Sequence, residues 1–287
     1  MALGERYKEF KERGAEVVGV SCDSVHSHKA WSERGDLKGK SLSISNPQLD
    51  VFLKADDATF NVSDRRCKRK TTWVQRPVGE GVIVRSARTQ GATILADLWD
   101  VNNDLNLKAT LALAPDKPEL TVTLEGAGAM PQLLAFPQPF VTAQGTSLIV
   151  PMNEGISYPV DDETIRPMQL ITCGGHGICM PWFGAVDPQG GAGVLAIFET
   201  PDDARIEITR QEGGGLFIRP LWESSRGQFS YTRKLTYVFF DDGGYVAQAK
   251  RYRDFAKQVG LVKTLAQKKA ENPNVDLLIG AANIWNW

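Results

Sequence analysis

The sequence predicts a mainly β protein: one large antiparallel β-sandwich, followed by a helix and a short apolar segment. Three observations carry this. Short runs of β-forming residues recur between residues 37 and 245, separated by turn signals. Most runs alternate apolar and polar residues, which suits sheets with one buried face. Beyond Asp241-Asp242-Gly243-Gly244 the period changes to that of a helix. Nothing repeats at a fixed period, which argues against a propeller or solenoid.

The elements follow in order. Residues 1–34 form a segment of different character. A charged helix stops at Gly14, Val17-Val18-Gly19-Val20-Ser21 is a short strand, and Ser24 caps a second helix through Trp31. The sandwich then begins with strands at Leu42–Asn46, Leu49–Lys54 and Thr59–Ser63. Strands at 81–85, 93–99 and 105–113 come next; the last alternates for its whole length. Leu120, Val122 and Leu124 place a further strand with one apolar face. Runs at 193–198, 204–209, 215–219 and 230–240 complete the set. Between 126 and 166 the pattern is irregular, with Pro131, Pro137, Pro139, Pro151 and Pro159. Long loops of this kind carry function or cover a sheet. The basic run Arg65-Arg66-Cys67-Lys68-Arg69-Lys70 joins two strands and reads as a solvated hairpin turn. Trp73, Trp99 and Trp222 sit in or beside strands and read as core. After residue 245, Tyr245, Ala249, Tyr252, Phe255, Ala256 and Val259 fall on one helical face, and Gly260 ends the helix. A second helix, about 262–269, leads to the apolar run Val275-Asp276-Leu277-Leu278-Ile279, which reads as a strand to residue 285.

Composition excludes several classes. With 33 basic and 34 acidic residues the net charge is -1, so there is no electrostatic case for nucleic acid or an anionic membrane surface. No apolar run approaches the roughly 20 residues of a membrane helix. The charged start lacks the apolar core of a secretion signal. As written, this places the chain in the cytoplasm; a natural start farther upstream would allow an exported parent. No oligomeric state follows from the sequence. The four cysteines form no Cys-x-x-Cys pair. Cys173, His176 and Cys179 have tight spacing, but zinc needs a further ligand and none lies nearby, so a glycine-rich turn is the better reading. No cofactor and no metal is expected.

Two resemblances add to this reading. The words "YKEFKERGAEVVGVSCDSVHSHKAW" resemble the typical two-cysteine peroxiredoxins, in the region after their peroxide-reacting helix. That family's reactive cysteine precedes this region, and Cys22 inherits no role. A thiol peroxidase needs an activated thiolate, so peroxidase activity is not expected, and a loosely docked fragment is. Deleting residues 1–34 is expected to leave the thermal midpoint nearly unchanged.

Farther on, "IVPMNEGISYPVDD", "MPWFGAVD", "YTRKLTYVFFDDGGYVAQAKRYRDFAKQVG" and "LVKTLAQKKAENPNVDLLIGAANIW" resemble the junction of sandwich and barrel in the endo-α-N-acetylgalactosaminidases and their distant relatives. The resemblance implies a sandwich similar to that of the galactose mutarotases, set before a (β/α)8 barrel. It implies three segments: 1–34 peroxiredoxin-like, 37–245 sandwich, and 246–287 a linker helix and the first strand of an incomplete barrel. The family's catalytic carboxylates sit on later barrel strands, so no residue here inherits a catalytic role. A glycan would be the partner of the full-length parent. Asn283 and Trp285 would stand at the top of barrel strand one. Asn153 and Glu154, in the proline-rich loop, and His176 and Trp182, on the next loop, are the other candidate sugar contacts; the bland alternative is interdomain packing and a half-buried tryptophan. A stand-alone carbohydrate-binding or structural module is the rival reading.

Overall fold

The structure, a computed structural model, describes residues 40–67, 72–79, 81–172, 177–187, 189, 191–210 and 213–282. The expected peroxiredoxin-like segment, residues 1–34, lies outside the described residues.

Four strands form the first sheet in chain order: β1 (Ser41–Ser45), β2 (Leu49–Lys54), β3 (Thr59–Asp64) and β4 (Thr72–Val74). The side chain of Asn46 sets its corner. Its carbonyl accepts from the N–H groups of Gln48 (2.8 Å) and Leu49 (2.7 Å). Its amide donates to the carbonyls of Ala114 (2.7 Å) and Lys117 (2.9 Å), in a turn that joins two strands of the second sheet. A single turn residue thus fixes a bend and docks two layers.

The meander continues through β5 (Val82–Gln90), β6 (Thr93–Asp100), β7 (Leu105–Leu113), β8 (Glu119–Gly126) and the short β9 (Gly128–Ala129). Then come β10 (Ser147–Val150), β11 (Ile156–Pro159), β12 (Met168–Ile171), β13 (Trp182–Val186) and β14 (Gly193–Phe198). The last strands are β15 (Ala204–Arg210), β16 (Leu216–Trp222), β17 (Gln228–Phe229) and β18 (Arg233–Phe240). Nine of them make the main sheet in the order β11-β10-β13-β14-β18-β8-β7-β6-β5. β18 therefore sits between the consecutive strands β5–β8 and a block of β10, β11, β13 and β14, pairing Leu235 with Val122 on one side and Ile197 with Thr236 on the other. A three-stranded sheet, β12-β15-β16, and the pair β17-β9 complete the sandwich.

The core lies between the sheets. Leu49, Phe60, Leu111, Leu120, Phe198, Ile206, Trp222 and Phe239 are among its fully buried members. Each such side chain stabilises the fold by about 1.5–3 kcal/mol through removal of apolar surface from water. Trp73, Trp99 and Trp222 are buried, as expected. The proline-rich stretch covers the sheets: Met130, Leu134, Phe136 and Phe140 all join the core. Of the basic run, Arg65 pairs with Asp50 and Arg66 with Asp64, so those two are held rather than merely solvated; residues 68–70 lie outside the described residues.

Two buried polar devices position the upper half of the molecule. Arg233, with a side chain 0% exposed, donates to Asp203 Oδ2 (3.2 Å) and to the carbonyl of Glu223 (3.0 Å). Its guanidinium lies 3.4 Å from the Tyr231 ring centroid, and Tyr231 donates its hydroxyl to the same carboxylate. Burial lowers the pKa of Arg233, and Asp203 opposes that shift. The second device is on α1 (Gly244–Gln258). Gln248 is wholly buried and donates to the carbonyls of Ala185 (3.0 Å) and Val194 (3.1 Å), on β13 and β14. A Cβ at Gly184 would stand 2.3 Å from Gln248 Oε1, so glycine there lets the helix seat.

Two expectations need correction. The helix buries only part of the face read from its sequence. Gln248, Tyr252 and Ala256 are buried, whereas Tyr245 and Val259 are 62% and 53% exposed. The Gln248 hook rotates the contact stripe away from the purely apolar one. Beyond α2 (Leu265–Glu271), the described part of the expected strand over 275–285 starts within a 3-10 helix at Pro273–Leu278, and residues 283–285 lie outside the described residues. Pro273 opens it and Asn272 Oδ1 accepts from Asn274 N (3.0 Å), so local bonds serve a backbone that pairs with no strand among the described residues.

Candidate functional site

The turn between β10 and β11 runs Pro151-Met152-Asn153-Glu154-Gly155. Asn153 and Gly155 have φ of 51° and 94°, which projects the turn outward. The chain returns beside it: Cys179 N donates to the Pro151 carbonyl (2.7 Å), and Trp182 N to that of Met180 (2.8 Å). α1 then crosses the outer face of β13 and β14. Turn, returning loop and helix enclose a cleft of about 480 Å³ lined by Asn153, Glu154, Met180, Trp182, Tyr245 and Ala249, among others.

Three of the six residues expected to touch sugar thus meet in one place: Asn153, Glu154 and Trp182. His176, Asn283 and Trp285 lie outside the described residues. Trp182 is 4% exposed, and its ring centroid lies 6.1 Å from that of Tyr252. It forms the floor of the cleft rather than a free platform, and its Nε1 has no hydrogen-bond partner. Tyr245 and Met180, 62% and 40% exposed, stand at the rim. Sequence reasoning placed Tyr245 on the packed helix face. The signal that it belongs to the cleft was Gln248, a polar residue one turn on, in line with Tyr252 and Ala256.

The lining offers apolar area with a few polar groups at its edge, which suits binding. Glu154 is the one carboxylate among the described lining residues, whereas glycoside hydrolysis uses a pair. No group of three His, Cys, Asp or Glu among the described residues is placed to hold a metal. No described helix is long and apolar enough to cross a membrane.

Comparison with known proteins divides the chain in two. The AhpC/TSA family matches residues 1–56. The putative peroxiredoxin YkuU of Bacillus subtilis is 53% identical over 55 residues, 19% of this chain and 28% of that protein. The chloroplastic 2-cysteine peroxiredoxin of Chattonella marina is 38% identical over 61 residues, 21% of this chain and 31% of that one. The chain thus spans less than a third of either relative. The matched stretch reaches into β1 and β2, whose Val51 and Leu53 pack in the sandwich core.

The remainder is similar in fold to the α-N-acetylgalactosaminidase NagBb of Bifidobacterium bifidum. The NagBb complex with GalNAc superposes with a TM-score of 0.68 at 19% identity, covering 83% of this chain and 42% of NagBb. The ligand-free form gives 0.66 at 18% identity, with the same coverage. These similarities establish the large antiparallel sandwich with its C-terminal helix.

Proposed function

We propose that the chain is the non-catalytic β-sandwich portion of a glycoside hydrolase-like protein whose parent function is hydrolysis of O-glycosidic bonds in carbohydrate. The fold shared with NagBb over 83% of the chain carries this reading. The motifs that resemble the endo-α-N-acetylgalactosaminidases point to the same chemistry. Residues 37–245 would be the sandwich, 246–287 the linker to a catalytic barrel, and 1–34 a peroxiredoxin-like remnant. Asn153, Glu154 and Trp182, with His176, Asn283 and Trp285, would contribute sugar contacts beside that barrel.

The exposed end of the chain supports a covering domain. α2 and the 3-10 helix bury no residue, and Leu261, Leu265, Leu277, Leu278 and Ile279 are all more than half exposed. A stand-alone carbohydrate-binding module is the second reading, favoured by exposed Tyr245 beside the cleft.

The test is direct. The chain alone is incubated with p-nitrophenyl N-acetyl-α-galactosaminide and titrated with N-acetylgalactosamine. No nitrophenol is expected, and a saturable tryptophan fluorescence change is, weakened in Glu154→Gln. Hydrolysis by the chain alone would overturn the non-catalytic reading; a flat titration would remove the sugar contact from this cleft.

A further inference from the structure

A small cavity lies in the core between β4 of the first sheet and the inner face of the main sheet. The sequence explains why it is there. On β13 and β14, Ala185 and Ala196 face inward among larger core residues, so the main sheet is recessed at this point. From the other side Phe140 stands edge-on to both Trp73 and Tyr237, with ring centroids 6.1 Å and 5.2 Å apart. Three rings braced against one another cannot close over two small side chains. The space left between them is about 20 Å³.

Three residues of its lining have polar side chains: Trp73 on β4, Thr142 in the stretch before β10, and Tyr237 on β18. Trp73 is opposite Val62 in the ladder and shares its buried face, which turns the indole into the core. It is 7% exposed, and its Nε1 has no hydrogen-bond partner within the protein. A buried donor without an acceptor costs on the scale of a lost hydrogen bond. Thr142 donates its hydroxyl to the Leu216 carbonyl (2.7 Å), which leaves its oxygen able to accept. Burial raises the pKa of Tyr237, so its hydroxyl keeps its proton.

We infer that this cavity binds one water molecule, which accepts from Trp73 Nε1, donates to Thr142 Oγ1 and bonds to the Tyr237 hydroxyl. About 10–15 Å³ is enough for a water, and three hydrogen bonds are usual for a buried one. The volume excludes a larger guest. No lining residue carries a charge, so a bare ion would stand unpaired in the core. The water joins β4 to β18 by polar contact at a seam where rings otherwise meet edge-on. The inference is independent of the carbohydrate reading.

The full chain, isotopically labelled, tests it through magnetisation transfer between water and the indole N–H groups. The Trp73 signal is identified by its loss in Trp73→Phe. A water cross peak is expected at this proton, opposite in sign between laboratory-frame and rotating-frame spectra, which marks a dipolar contact with long-lived water rather than proton exchange. Ala196→Val fills the cavity and is expected to abolish the peak. Thr142→Val keeps the side-chain shape without the oxygen and is expected to weaken it. Absence of a dipolar cross peak at the Trp73 indole in the wild-type chain would overturn the inference, whether or not the variants fold. An unchanged peak in either folded variant would overturn it as well.

Discussion

The two α-helices of the C-terminal region invert what local signals suggest. α2 has every local advantage: Thr264 and Gln267 form a reciprocal capping box, and Lys268 and Lys269 sit in its last turn. Yet it buries nothing. α1 begins at Gly243 with no side-chain cap and no acidic residue in its first turn. It nonetheless docks on the main sheet through Gln248, Tyr252 and Ala256, against Trp182, Leu195 and Val238 among others. Capping decides whether a segment is helical; buried contacts decide whether it is held. The first is written within seven residues, the second across three strands and a helix.

That contrast is broken most strongly at Tyr252. Tyr252→Ala removes the aromatic contact with Trp182 and leaves a cavity under α1. A loss of about 3–4 kcal/mol is expected in denaturant unfolding. Gly184→Ala attacks the same docking from the sheet side, because the new Cβ meets Gln248 and the Val194 carbonyl. It is expected to cost about 2 kcal/mol, and to cost less when combined with Gln248→Ala, since the two act on one contact. Gln248→Ala alone is expected to lose about 1 kcal/mol. At the other helix the expected change is near zero: ending the chain at Gly260 should move the thermal midpoint by less than ~2 °C and improve solubility. A large drop would show that α2 is held after all, and unchanged or worse solubility would weaken the case for a covering domain.

The smallest effect supplies a baseline away from both helices. Asp50 has its pKa lowered, chiefly by its hydrogen bond from Arg65. A carboxylate depressed in the folded state stabilises above the ordinary value of about 3.9, and that contribution is lost as pH falls through the folded value. Wild type and Arg65→Met should therefore differ slightly in midpoint at pH 6 and converge in strong acid; because the pair is at the surface, the gap is small.

How much was legible follows the same division. β2, β7 and β14 have the bounds read from the sequence, because alternation or an apolar run between turn residues is a local property. β12 and β13 were not read as strands. In β13, Trp182-Phe183-Gly184-Ala185-Val186, every residue is buried because the core covers one face and α1 the other, so alternation vanishes. Gly184, a weak strand residue by propensity, is there for Gln248. The cleft was half legible: Asn153, Glu154 and Trp182 stood out as residue types, but Tyr245 and Met180 join them only through the path of the chain.

The place of β18 has a consequence during synthesis. β5–β8 and the block of β10, β11, β13 and β14 reach the ribosome exit well before β18, yet in the main sheet the two blocks touch only through it. Until residues 233–240 emerge, β8 and β14 each present an open edge. The nascent protein therefore carries two half-sheets in waiting, and a ribosome that stalls before Arg233 would release a chain with two adhesive borders. Vectorial translation makes the last strand the one on which yield depends.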